Sequence, residues 1–375
     1  WEERSRMSNI PKLRFPEFKG EWEEKKLGEC LTLLYGKDWK DKSSTKKLYP
    51  VLGTGGVISY IDEFIYDKPC VLIGRKGSIN NPVFIDKPFW TVDTQFYSEI
   101  HEGYSPKFLY YIFCTENWSK HDESTGVPSL SAKNVENTHK HIPSYSEQQK
   151  IADFLSNVDS IITAETKILN TLQKKKKALM QKLFTRQLRF KSDDGTDFPA
   201  WEEKKLGDVC SYIGGGTPSK KVKEYWNGNI NWASVKDITG KYLYETQDKI
   251  SQLGADSSAT NICEPDSLLL ITRMSPGKTV ITKCITAINQ DLKIVKSYIN
   301  VEFLHLLFQS IQTKIDEKTS GTTVKGISIE GLNQIDIRLP CKAEQQKIAD
   351  CLSSMDSLIQ TQQKVVTTWQ QRKKA

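Results

Sequence analysis

The chain has 375 residues, with 53 Lys plus Arg against 46 Asp plus Glu and a formal net charge of +7, a length that points to two or more domains. Apolar residues make up 38% and charged residues 26%, which excludes wholesale disorder. No apolar run approaches the twenty or so residues of a membrane span, and the modest positive excess suits a polyanionic partner without requiring one.

In chain order, Trp1 to Arg6 precede Met7 and read as an appended remnant rather than as fold. A first block, 1–146, shows short apolar runs bounded by Gly and Pro, such as Cys70-Val71-Leu72-Ile73, and one clear helix near Pro106 to Trp118. Such runs predict strands. From Glu147 the apolar positions Ile151, Leu155, Val158, Ile162, Leu169 and Leu172 recur in steps of three and four with one full heptad of seven, the period of a coiled-coil seam. A helix over 147–190 follows, about 60 Å long at 1.5 Å per residue. A second block, 191–343, again combines strand-like runs (Leu268-Leu269-Leu270-Ile271-Thr272) with one helix, Val301 to Lys318. The seam then returns over 344–375 as Ile348, Leu352, Met355, Ile359, Val366 and Trp369. The fold class is therefore α+β, two strand-rich domains separated and linked by two long helices. Pairing of those helices as an antiparallel coiled coil is the preferred packing; each lying on its own domain is the alternative.

The chain is also written twice. Trp22-Glu23-Glu24-Lys25-Lys26-Leu27-Gly28 returns as 201–207, and Glu147-Gln148-Gln149-Lys150-Ile151-Ala152-Asp153-Phe154-Leu155-Ser156 returns from Glu344 with Cys351 in place of Phe154. Between these landmarks the copies diverge almost completely. Near-identical frames around unlike blocks suggest one mechanical job done on two different targets.

No motif supplies a convincing active site. Gly277-Lys278-Thr279 lacks the glycine a phosphate loop needs at position 272, and Pro276 removes an amide. Gly53-Thr54-Gly55-Gly56-Val57-Ile58 has Ile where a dinucleotide fingerprint needs its third Gly. Asp266, Asp291 and Lys293 loosely fit a Mg²⁺ nuclease pattern, but the first block has no equivalent. His139 and His141 would share a strand face without a third ligand. The eight cysteines contain no C-x-x-C pair and read as reduced thiols of a cytoplasmic protein with no leader.

The polar, glycine-rich loops carry more. The first block offers Lys37 and Lys40, Thr54, then Arg75, Lys76 and Ser78, then Thr125, Ser129 and Lys133. The second offers Thr217, Ser219, Lys220 and Lys221, then Ser234 and Lys236. Arg273, Ser275 and Lys278 follow, and Thr322 and Lys325 close it. Hydroxyls and backbone amides beside Gly can approach phosphates, while Arg or Lys reaches guanine O6 and N7. The argument rests on such loops occurring at similar places in both blocks, with Arg75 and Arg273 the leading candidates. The basic run Lys174-Lys175-Lys176-Lys177 fits either a solvated helix face or a contact with phosphate or an acidic partner.

With the repeat, these strings make the chain from Met7 onward resemble the specificity subunit of type I restriction–modification enzymes. Tyr49-Pro50-Val51-Leu52-Gly53-Thr54-Gly55-Gly56, Leu72-Ile73-Gly74-Arg75-Lys76-Gly77-Ser78 and Gly216-Thr217-Pro218-Ser219 are typical of that family, as are Thr125-Gly126-Val127-Pro128-Ser129-Leu130-Ser131 and Glu147-Gln148-Gln149-Lys150-Ile151-Ala152. The second helix ends earlier than the family pattern. The resemblance implies a non-catalytic reader of an asymmetric, two-part sequence in double-stranded DNA, with the helices as an antiparallel ruler. It further implies two methyltransferase subunits docked on the chain and restriction subunits joined through them. This chain would hold no cofactor or metal; S-adenosylmethionine, ATP and Mg²⁺ would belong to those partners. The competing readings are a coiled-coil scaffold with two protein- or glycan-binding domains, and the nuclease.

Overall fold

The computed structural model describes residues 11, 13–321 and 324–374; the remnant at 1–6 and Thr322 lie outside them. The chain divides into two compact units, Trp1–Thr163 with Trp369–Ala375, and Ala164–Thr368.

In the first unit, the repeated Glu23–Lys26 stretch pairs antiparallel with His139–Ile142, so the frame closes on itself around the block. Inside it lies an antiparallel sheet in the order Leu31–Tyr35, Gln95–Ile100, Cys70–Gly74, Val83–Ile85. A smaller sheet orders Gly56–Ile61, Tyr49–Gly53, Trp90–Thr91, the last pair parallel. The apolar run Cys70–Gly74 is central and wholly buried, as a strand covered on both faces must be. The helix Pro106–Thr115 lies against it, started by Pro106 in the first turn and by the Ser105 hydroxyl accepting from the Phe108 N–H. It stops three residues before the expected Trp118, which instead opens a 3-10 turn and buries its ring in the core.

The second unit repeats the scheme. Glu202–Lys205 pairs with Asp336–Leu339. A five-stranded sheet runs Cys210–Ile213, Leu292–Ser297, Leu268–Ile271, Thr279–Thr282, Tyr242–Leu243, and a four-stranded one Asp248–Ile250, Ile230–Ala233, Thr286–Ile288, Asn261–Cys263. Ile230–Ala233 pairs parallel with Thr286–Ile288, the counterpart of the parallel pair in the first unit. The helix Val301–Ser310, capped by Asn300, covers the sheet and is followed by a separate turn, Gln312–Glu317. Its His305 is buried against Thr279 and Gln309, and burial, reinforced by the Lys241 charge, lowers its pKa to about 4.

The long helices span Tyr145–Phe184 (40 residues) and Lys342–Lys374 (33 residues). The first ends at Phe184, six residues short of the expected 190, and Arg186 just beyond it takes a left-handed φ of 62°. Within the second unit the helices run antiparallel: Gln362 donates to Glu165 and Lys176 pairs with Asp356. Within the first unit Lys373 pairs with Asp159. In the register that lays Glu147 on Glu344, Lys176 falls on Lys373, Asp159 on Asp356 and Glu165 on Gln362. The ion pairs are thus reciprocal, and Glu165 meets its own counterpart, the signature of a self-complementary contact.

Not every seam position packs helix on helix. Ile348 and Leu352 are sealed into the core of the second block, where Leu183 of the first helix joins them, and Ile151 packs against the core of the first block. Val158, Leu169 and Val366 are buried, while Leu155, Ile162, Leu172, Met355, Ile359 and Trp369 are half-buried. The helices therefore do both things that were posed as alternatives: they pair, and their roots belong to the blocks.

A buried anchor fixes each root. Glu147, in the first turn, is 1% exposed and accepts two bonds from the Arg14 guanidinium at 2.7 Å and one from the Trp22 indole at 3.2 Å. Glu344 is 0% exposed and is bound likewise by Arg189 (2.7 and 3.1 Å) and by Trp201 (3.0 Å). The next residue repeats too: Gln148 links Pro143 O to the Ser105 N–H, and Gln345 links Pro340 O to the Asn300 N–H. The repeated Trp and Glu-Gln strings are thereby explained, and Leu13-Arg14-Phe15 with Leu188-Arg189-Phe190 emerges as a third repeated string.

Candidate nucleic-acid interface

In the first unit four of the predicted loops meet at one end of the sheets. Gly36 and Lys37 donate backbone N–H groups to Gln95 O and Thr91 O. The approach is so close that a side chain at position 36 would lie 2.1 Å from Val92 O, so only Gly serves there. Thr54 sits in the two-residue turn between paired Gly53 and Gly56, its hydroxyl 3.8 Å from where a Cβ on Gly77 would stand. Arg75 and Lys76 both donate backbone N–H to Thr94 O, and Lys76 bridges to Ser129. The Arg75 guanidinium donates to Asp93 O at 3.1 Å and lies over the Tyr35 ring at 5.3 Å. Asp122 holds the Thr125–Ser129 loop by accepting from the Ser129 and Ser124 backbones, which lowers its pKa. Lys37, Lys40, Lys76, Ser78 and Thr125 are exposed there. Lys133 is exposed too but stands on the separate short helix Ala132–Glu136.

The second unit assembles the same end from different residues. Gly215 crosses where Gly36 does, with Ile288 O and Asn289 O each 2.3 Å from its would-be Cβ. Thr217 donates to the Gln290 side chain at 2.5 Å. Arg273 pairs with Asp291 at 3.4 Å while remaining 56% exposed, and it bridges to Gly326 as Lys76 does to Ser129. Leu130 N–H donates to Arg75 O, and Ile327 N–H to Thr272 O. The structural counterpart of Arg273 is therefore Lys76, and that of Arg75 is Thr272. Met274 N–H bonds to Lys325 O, bringing Lys325 and Ser275 to the same end. Ser219, Lys220 and Lys221 continue the exposed loop from Thr217.

Three predicted residues are otherwise engaged. The Ser234 hydroxyl is committed to Asp237 and Lys236 to Asp248, which raises the lysine's pKa. Lys278 lines a different cavity, of about 410 Å³, with Lys176, Lys241, His305 and Asp356. The nuclease carboxylates are separated as well: Asp266 N–H bonds to Thr282 O at one end of the strand Leu268–Ile271, and Asp291 O accepts from Thr272 at the other. Some six extended residues, roughly 20 Å, lie between. Asp266 pairs with Lys283 instead, and among the described residues no three His, Cys, Asp or Glu side chains cluster as metal ligands. His139 and His141 are exposed on their strand, no cysteine among the described residues is paired, and no described helix is long and apolar enough to cross a membrane.

Each unit thus presents loops built on one scaffold and filled with unlike side chains. A family model described as "Type I restriction modification DNA specificity domain" matches residues 19–174 and again 200–368. The chain belongs to that family. Among curated specificity subunits, the chain is 31% identical over 189 residues to that of the type I restriction enzyme MjaIX of Methanocaldococcus jannaschii, covering 48% of this chain and 44% of the relative. It is 29% identical over 232 residues to the EcoR124I/EcoR124II subunit of Escherichia coli, covering 60% and 54%. The chain spans about half the length of those two relatives. A longer match, 25% identical over 385 residues, reaches 94% of this chain and 89% of the MjaVIII subunit of M. jannaschii. The solved structure of a type I restriction–modification S subunit from M. genitalium superposes with a TM-score of 0.66, covering 97% and 96% of the two chains at 15% identity, a likeness of fold.

Within this family assignment, both matched stretches begin at the frame strands and run into the long helices. Sequence reasoning missed the Arg14 and Arg189 anchors, whose signal was the repeated Leu-Arg-Phe string.

Proposed function

We propose that this chain is the sequence-reading subunit of a type I restriction–modification assembly and catalyses no reaction itself. Each block reads one part of a two-part target in double-stranded DNA. The paired helices set the spacing of the two parts and dock two methyltransferase subunits, through which restriction subunits join. S-adenosylmethionine, ATP and Mg²⁺ belong to those partners. One observation carries the reading: the same convergence of glycine-rich loops occurs in both units, while the side chains displayed differ (Lys76 against Arg273, Arg75 against Thr272). Two identical readers would see a palindrome; two unlike readers see an asymmetric site.

An electrophoretic-mobility assay with and without methyltransferase partners tests this. Binding should be sequence-specific, and its logarithm should fall linearly with the logarithm of salt concentration. A salt-insensitive interaction with protein or glycan would favour the scaffold instead. Methylome sequencing of a host carrying the system would then return the target.

A further inference from the structure

The strand Gly56–Ile61 is the edge of its sheet, yet it exposes Val57 (53%), Ile58 (53%) and Tyr60 (46%). Edge strands ordinarily carry charges that discourage pairing, so an apolar one has a use. The hairpin register skips a residue: Leu52 faces Val57 and Val51 faces Ser59, which leaves Ile58 as the bulged residue. A bulge re-aims a side chain. Ile58 is turned over Gly53, 3.6 Å from its would-be Cβ, beside Val92. Val92 leads directly into Asp93 and Thr94, which hold Arg75 and Lys76. At the other end of the hairpin, exposed Lys46 and Lys47 are fixed by their backbone N–H bonds to Asp62 at 2.8 Å.

The occupant of this surface follows from its surroundings. Protein interfaces are depleted in lysine, whereas nucleic-acid interfaces are rich in it. The apolar group that duplex DNA presents in its major groove is the 5-methyl of thymine. We propose that Ile58, flanked by Val57, contacts a thymine methyl in the part of the target read by the first block. The inference rests on the proposed function and adds to it a base identity. In the second unit the corresponding edge strand is Asp248–Ile250, whose Asp248 pairs with Lys236 and whose Ile250 is wholly buried, so the methyl contact belongs to the first block.

The test uses the full chain with its methyltransferase partner and a random duplex library. The enriched target should contain thymine in one of its two parts. Replacing that thymine with deoxyuridine removes only the methyl and should weaken wild-type binding about fourfold, as expected for one lost buried methyl. Ile58→Ala should bind the thymine and deoxyuridine duplexes equally and keep its discrimination in the other part. Because Ile58 is half exposed, the variant folds, which an unchanged melting temperature would verify. A target with thymine in neither part, an indifferent wild type, or an Ile58→Ala chain that still prefers thymine would overturn the inference while leaving sequence reading intact. Failure to enrich any sequence would overturn the proposed function itself.

Discussion

Glu147 and Glu344 are the most deeply buried acids of the frame, each held by an Arg, a Trp and little else. The partners are unequally buried: the Glu344 side chain is 0% exposed, whereas that of Arg189 is 29% exposed. Removing one member of such a pair leaves the other uncompensated, at about 3–5 kcal/mol for a buried charge. Arg189→Ala strands a carboxylate with only the Trp201 indole and should approach that full cost in urea denaturation. Glu344→Ala leaves an arginine that can turn to water, and should cost clearly less. The reading loops call for a different measurement. Arg273, more than half exposed beside Asp291, should lose about 1–3 kcal/mol of target binding as Arg273→Ala. If it reads a base, one position of the target relaxes; if it touches phosphate, all sequences weaken alike and the salt slope flattens. Unchanged affinity and slope would remove it from the interface. The loop residues were legible as candidates because Gly beside Arg, Lys, Ser or Thr is a local signal. Ser234 and Lys236 were not separable from the rest, since their partners Asp237 and Asp248 engage them only through the folded loop.

At the scale of elements, the long helices were legible from their 3.5-residue period, and their antiparallel sense follows from Gln362–Glu165 and Lys176–Asp356. What the period could not distinguish is whether a buried position faces the other helix or a domain. Leu352 illustrates the difficulty: its repeat partner Leu155 is half-buried, whereas Leu352 is wholly enclosed in the second block's core. Leu352→Asp would accordingly damage that core as well as the helix pair, and Val366, 3% exposed, is the cleaner probe of the seam. Helix-on-sheet packing carries its own titration. His305 joins the helix Val301–Ser310 to Thr279, and burial lowers its pKa from 6.5 to about 4. The folded state therefore binds fewer protons than the unfolded state between those values. Its contribution is complete above about pH 6.5 and is lost as the pH falls toward 4, on the order of 3 kcal/mol in total. His305→Gln retains hydrogen-bonding capacity without the titration and should flatten the fall in denaturation midpoint over that range.

For the whole molecule, the proposed spacing role makes a prediction independent of any loop. One heptad inserted into both long helices adds about 10 Å, roughly three base pairs of B-form rise. The methylated target should then keep its two parts and change only the number of unspecified bases between them. Altered parts with an unchanged spacer would contradict the ruler. The repeat, the strand-rich blocks, the helices and the family resemblance were all present in the linear order of residues, because periodicity, turn chemistry and internal identity are local or self-referring. The anchors, the match of Lys76 rather than Arg75 to Arg273, the re-aimed Ile58 and the separation of Asp266 from Asp291 required the folded chain. Each depends on which distant residues share a strand end or a buried contact, and strand pairing, not sequence distance, decides that.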